Sequence, residues 1–514
     1  MRTIVLLLLT WSAASSAAER PNILFIFSDD HALQAISAYG GRFRDIAPTP
    51  NIDRLAKQGL VFDRSYCTNS ICGPSRACIL TGKHSHINGF IDNDSSKFNG
   101  AQPTFPKYLQ QAGYETAVIG KWHLISQPTG FNYWEVLPGQ GSYYNPDFIQ
   151  MDGSTKRFEG YVSDIITDKS LAWLKNRKDK DKPFVLMSQQ KAPHRNWVPA
   201  ARHYKLFDSV TLPEPETLFD DYAHRSEALQ KQEMSLEKDF WWENDLLLPG
   251  KSKDPRFLNG IVNNEFQRMS SAQKGEFDAA YGAENQKLID DLAAGKLSDQ
   301  DVTRWKYQRY IKNYLRCVRA VDENVGRLLD YLDESGLAKN TIVIYSSDQG
   351  FYLGEHGWYD KRWMFEESLA MPFLIRWPGV VQPGARSKAL IQNIDYGPTF
   401  LEAAGVEIPE DIQGRSLVPI LKNAGLAPAD WRKAIYYDYS GEATHNVAAH
   451  NGVRNDRYKL IYLPQTSEWQ LFDLKKDPQE MKSVHDDPAY APVLAEMKVI
   501  YQELRTQYKL PKEG

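Results

Sequence analysis

Short apolar runs punctuate the first four hundred residues, each too brief for a helix and too continuous for a half-exposed strand. Pro21–Phe27, Glu115–Ile119, Pro183–Ser188, Thr341–Ser347 and Met371–Arg376 fit strands of a largely parallel sheet, buried on both faces. Between them lie helical patterns. Thr49–Ala56 is amphipathic behind a polar cap, Pro74–Thr81 opens on proline and stops at Gly82, and Thr104–Gln111 stops at Gly113. Tyr307, Tyr310, Ile311, Tyr314, Leu315, Val318, Val321, Val325, Leu328, Leu329 and Leu332 recur at three- and four-residue steps, which predicts a long helix against the sheet ending at Gly336. Asp395–Gly405 repeats the helix-and-glycine pattern.

Strand and helix alternate without an internal repeat, so the fold class is α/β, a mostly parallel central sheet flanked by helices. From about Ser209 to Thr303 the pattern turns polar and broken, as in an insertion of helices and loops. After a linker near Gly425–Trp431, the runs Ala434–Tyr439, Val453–Tyr462 and Trp469–Leu474 predict a small antiparallel sheet closed by a helix over Ala489–Leu510. The expected division is a leader at 1–18, a large domain at 19–425 with its insertion at 209–303, and a smaller domain at 426–514. Phe131–Trp134 and Tyr143-Tyr144 read as an aromatic loop, more suited to a satellite core than to stacking on a sugar.

Composition narrows the class. The 514 residues are 42% hydrophobic and 25% charged with net charge -4, so no basic field invites nucleic acid, and an anionic substrate must be gripped by a local cluster of cations. Met1–Ala18 carries Arg2, an apolar stretch and a small-residue end. That is the pattern of a secretory leader, which implies a periplasmic or extracellular protein with no membrane span. Of the four cysteines, Cys67, Cys72 and Cys78 crowd one motif and Cys317 stands far off, which makes no disulfide framework or paired zinc spacing; Cys317 is expected as an inert buried thiol.

Chemistry gathers where the strands end. Asp29-Asp30 leaves the first run, and two adjacent carboxylates there are tolerable with a hard cation between them. Lys121 and His123 follow the second, His194 the third, Asp348-Gln349 the fourth. Cys72 sits at the mouth of the Pro74 helix with Arg76 a turn along, where unpaired N–H groups and the helix dipole favour an anion.

These residues carry a resemblance. Cys72-Gly73-Pro74-Ser75-Arg76 with Leu80-Thr81-Gly82-Lys83 is similar to the signature of type I sulfatases, whose cysteine is oxidised to formylglycine by a formylglycine-generating or anaerobic sulfatase-maturating enzyme. Gly120-Lys121-Trp122-His123, Ala192-Pro193-His194, Asp348-Gln349 and Asp360-Lys361-Arg362 extend it along the chain, the last most like N-acetylglucosamine-6-sulfatases. The resemblance implies an alkaline-phosphatase-like sandwich. It implies one calcium ion on Asp29, Asp30, Cys72 as formylglycine, Asp348 and Gln349, where the glutamine stands on a longer arm than the usual ligand. It implies catalytic roles for Cys72, Arg76, Lys121, His123, His194 and Lys361. The expected substrate is a sulfated carbohydrate, a 6-O-sulfated N-acetylglucosamine of heparan sulfate, keratan sulfate or mucin, with Asp360 and Arg362 against the sugar. His445, His450 and Arg454 are further candidates to reach it. Alternatives are another carbohydrate or aryl sulfate specificity, a phosphoester or phosphonate hydrolase of the same superfamily, and a non-catalytic glycan-binding protein.

Overall fold

The computed structural model describes residues 20–511, so the expected leader lies outside the described residues. Ten strands form one sheet in the order Ala385–Ser387, Leu60–Phe62, Phe373–Arg376, Thr341–Ser347, Asn22–Ser28, Phe184–Gln189, Glu115–Lys121, Tyr133–Leu137, Asp147–Ile149, Thr155–Arg157. The five strands from Thr341–Ser347 to Tyr133–Leu137 are mutually parallel, and antiparallel pairs occur only towards the margins. Continuous burial explains the parallel centre: every residue of Asn22–Ser28, Phe184–Gln189 and Thr341–Ser347 is buried. One helical group packs Val162–Asn176 and Pro50–Gln58 on the long helix Asp299–Glu334. Another joins Cys72–Thr81, Phe105–Gln111 and Tyr396–Ala403. Phe25 of the central strand meets Phe400 of the second group, with ring centroids 5.5 Å apart.

The expected polar insertion needs two revisions. The long helix begins at Asp299 rather than near Tyr307, because Ser298 and Asp301 form a reciprocal capping box that starts it among polar residues. The 209–303 segment also buries Leu236, Phe240, Trp242 and Leu246–Leu248 in the main core. Of the Phe131–Trp134 stretch read as loop, Tyr133 and Trp134 begin the strand Tyr133–Leu137 beside Glu115–Lys121, while Tyr143 and Tyr144 are core.

The C-terminal sheet runs Ala434–Tyr439, His450–Asn455, Tyr458–Leu463, Glu468–Asp473, all antiparallel. What reads as one run over 453–462 is two strands. The Asn455 side chain takes the N–H groups of Arg457 and Tyr458 at 2.9 and 2.7 Å and turns the chain between them. One face of this sheet, through Ile435, Tyr437 and Ile461, joins the main core; the other packs Tyr436, Val453 and Leu460 on Met497 and Tyr501 of the helix Ala491–Gln507. No helix of the described residues is long and apolar enough to cross a membrane.

Candidate active site

Strand register places the first two acids. Ser28 pairs with Ser347 across adjacent parallel strands, so Asp29 and Asp348 emerge side by side, and the Asp30 N–H donates to Asp348 Oδ1 at 3.0 Å. Asp29, Asp30 and Asp348 are all fully buried. One oxygen each of Asp29 and Asp348 lies with Cys72 Sγ inside a cluster no wider than 4.8 Å. Such crowding has an electrostatic cost. Burial raises Asp30 to about 6 against the pull of Lys361, and burial with Asp29 raises Asp348 to about 7. Burial also works upward on Asp29, yet Lys121, His194 and Arg76 overcome it and hold that carboxyl well below its usual range. Asp29 Oδ1 and Gln349 Oε1 are buried and accept no hydrogen bond, while Gln349 Nε2 donates to Asp30 Oδ1 and so leaves its amide oxygen free. Unsatisfied hard oxygens among buried carboxylates fit a divalent cation such as calcium.

The helix Cys72–Thr81 presents Cys72 to this cluster. Gly82 stops it in a left-handed turn at φ 66°, and all ten helical residues are buried. Gly73 is closely packed, and an added Cβ, 2.4 Å from the Phe90 ring and 2.6 Å from Asn93 Oδ1, would force those side chains to shift. Arg76 turns back into the sheet: its Nε and Nη2 donate to Asp348 Oδ2 at 3.1 and 3.0 Å, and Nη1 donates to the Lys121 carbonyl at 2.8 Å. It therefore locks the acid and the lysine strand to each other. Burial pushes the Cys72 thiol upward, so a free thiolate nucleophile is disfavoured at this position.

Two lysines flank the acids. Lys121 Nζ pairs with Asp29 and donates to Gln140, and Lys361 Nζ donates to both oxygens of Asp30 at 2.7 and 2.9 Å and to Cys72 Sγ at 3.5 Å. His194 donates from Nδ1 to the Arg195 carbonyl, which turns Nε2 inward to 3.8 Å from Asp30 Oδ2. His123, just past the strand end, leaves extended backbone at φ 55°, and its Nδ1 is buried without a partner. Burial, with Lys121 adding to it, holds both imidazoles well below their ordinary range, so each is neutral at pH 7.

Further out, Asp360 and Arg362 pair with each other, and Arg362 Nη2 lies 3.4 Å from Glu442 Oε2. Both hold positive φ, 72° and 90°, on either side of Lys361. His445 does arrive, with Nε2 at 3.5 Å from Asp360 Oδ2. His450 and Arg454 correct the expectation, because neither has a hand free for substrate. His450 donates to the Ala448 carbonyl at 2.8 Å, accepts from the Met364 N–H at 3.1 Å and stacks on Trp363. Arg454 is held by Glu366, Nε and Nη2 both at 3.2 Å, over the Tyr66 ring.

Comparison with known proteins bears on this geometry. A family model described as Sulfatase matches residues 21–406, and one described as N-sulphoglucosamine sulphohydrolase, C-terminal, matches 354–507. The chain belongs to the sulfatase family. It is thus a sulfuric ester hydrolase. An N-acetylglucosamine-6-O-sulfatase of Bacteroides thetaiotaomicron is 48% identical to it, over 99% of this chain and 91% of that one. The human N-acetylglucosamine-6-sulfatase is 27% identical over 83% of this chain and 69% of its own length. A solved structure described as in complex with its substrate D-glucosamine-2-N,6-O-disulfate superposes with a TM-score of 0.91 at 49% identity, covering 96% of this chain and 99% of the other. A phosphonate monoester hydrolase from Silicibacter pomeroyi, at 22% identity and a TM-score of 0.67 over 95% of this chain and 96% of its own, shares the fold.

Around this sulfatase site stand groups that motif reading passed over. Gln140 touches Lys121 from a turn between Gly139 and Gly141, both at positive φ, and Asn93 Oδ1 takes the Gly73 N–H at 3.1 Å. The two glycines were the one local signal for Gln140; Asn93 lies in an irregular stretch with none.

Proposed function

We propose that this sulfatase removes the 6-O-sulfate from N-acetylglucosamine or N-sulfated glucosamine units of sulfated glycans. The observation that carries the reading is the Asp360-Lys361-Arg362 turn, which sets Lys361 against Asp30 and Cys72 between a mutually paired acid and arginine, in a chain 48% identical to an N-acetylglucosamine-6-O-sulfatase. The same reading takes the enzyme as exported and matured at Cys72.

A calcium ion would be held by Asp29, Asp30, Asp348 and Gln349 and would supply Lewis acidity beside the sulfate. Formylglycine from Cys72, when hydrated, supplies an oxygen nucleophile and a carbonyl-forming route for releasing sulfate. Lys121 and Lys361 neutralise the sulfate oxygens as charge builds on them, and each such preorganised donor is worth about 3 kcal/mol. Arg76 keeps Asp348 and the Lys121 strand in register. His194 delivers a proton from Nε2 to the departing sugar O6, since an alkoxide leaves poorly without one. That needs His194 to gain a proton, which burial opposes and the bound sulfate ester's negative charge favours. His123, neutral and without a partner at Nδ1, accepts the proton that must leave position 72 for sulfate to be released. Asp360 and Arg362 take sugar hydroxyls.

A panel of sulfated monosaccharides, with the mass of the Cys72 peptide measured in the same preparation, tests this. The expected result is turnover of the 6-O-sulfate and a peptide bearing the aldehyde mass. Turnover of 2-O- or 4-O-sulfates with none of the 6-O-sulfate defeats the assignment. Full activity with an unmodified thiol defeats the chemistry.

A further inference from the structure

We infer that Asp245, carried by the 209–303 insertion, is a positioning residue for the sugar-facing side of the site: through Arg195 it sets His445 against Asp360. The inference rests on the reading of Asp360 as a sugar-facing group. Asp245 has no exposure, and its carboxylate is saturated. Arg195 Nε and Nη2 each donate to it at 2.6 Å in a fork, and Asn244 Nδ2 and the Trp241 N–H complete it at 2.9 Å each. The fork leaves Arg195 Nη1 over, and that nitrogen lies 3.3 Å from His445 Nε2. Stacking of the guanidinium 4.9 Å over the Tyr359 ring keeps the arm from swinging.

His445 is tied on its other side as well. Its Nδ1 donates to the Glu233 carbonyl at 2.7 Å, so the neutral ring carries its lone pair on Nε2. Burial favours that neutral form. Nε2 then faces Asp360 Oδ2 at 3.5 Å, two acceptors pointed at each other. Such a pair is stable only around a donor. Arg195 Nη1 supplies one to the single lone pair of His445 Nε2, and in the complex a hydroxyl or N–H of the sugar donates to Asp360 Oδ2. Both ties on His445, Asp245 through Arg195 and the Glu233 carbonyl, come from the insertion. That segment therefore fixes His445 beside Asp360, leaves Asp360 Oδ2 for a sugar donor, and leaves the sulfate grip to the strand ends.

The test uses the full-length matured enzyme and whichever sulfated monosaccharide the wild type turns over, so that a wrong 6-O assignment and a wrong inference give different results. Losing one charged hydrogen-bond partner predicts that Asp245→Asn raises KM by about tenfold while kcat stays within about threefold. The inhibition constant of inorganic sulfate, which reads the sulfate grip alone, is expected to stay within about twofold of wild type. Adding Asp245→Asn to His445→Ala is expected to cost little more than His445→Ala alone, because both act at one point. Should Asp245→Asn not fold, Arg195→Lys, which keeps the charge and loses the fork, is read in the same way. Parallel loss of sugar turnover and sulfate inhibition, or additive effects with His445→Ala, would overturn the inference.

Discussion

The two sides of the site are built in opposite ways. On the sulfate side, Asp29, Asp348, Lys121 and His194 stand at or just beyond the ends of neighbouring parallel strands, so backbone register alone brings them together. On the sugar side, Asp360, Arg195, Asp245, His445 and Glu442 come from loops up to 250 residues apart and meet only through each other's side chains. The difference teaches where each property resides. On the proposed reading, chemistry sits on the rigid sheet, where position is inherited from hydrogen-bonded strands, and sugar choice sits on loops whose lengths and residues can change without disturbing it.

That contrast can be broken from the sulfate side first. Asp29→Asn removes a fully buried acid from the cluster and is expected to lower kcat by about 10³-fold or more, with metal content measured on the same sample falling alongside it. A variant that kept its rate and its metal would show that Asp29 is not part of the cation site. Lys361→Ala is expected to cost about 10²–10³ in kcat, the usual loss for one preorganised donor to a developing charge, and to weaken inhibition by inorganic sulfate in step. If only KM for the sugar rose, Lys361 would belong to the sugar side. The smallest effect is expected at His450→Phe. Stability should drop by about 1–3 kcal/mol in denaturant titration, since the Met364 N–H loses its acceptor, while kcat and KM stay near wild type. A large rise in KM there would restore His450 as a substrate contact.

Much of the sulfate side was legible in the residues alone. Acids, lysine and histidine following short apolar runs are what a parallel sheet needs to gather a site at one edge, and both run and residue are local in sequence. The Cys72 motif was legible for the same reason: proline, glycine and arginine act within one helix. Less local features were not. His450 and Arg454 looked available because nothing nearby in the chain announces Met364 or Glu366 as their partners. Arg195 sits beside His194 and was visible, yet its function depends on Asp245, fifty residues on in a polar stretch without clear periodicity.

The sequence by itself determined the elements and which residues stand at their ends, because burial, periodicity and capping act over a few residues; the roles expected of those residues came from the family resemblance. Only the tertiary structure decided which charges are spent on one another and which remain for a ligand. Arg195 with Asp245 and Arg454 with Glu366 are pairings made by folding distant segments into one low-dielectric space, whereas Asp360, paired with Arg362 through Oδ1, keeps Oδ2 beyond that pair.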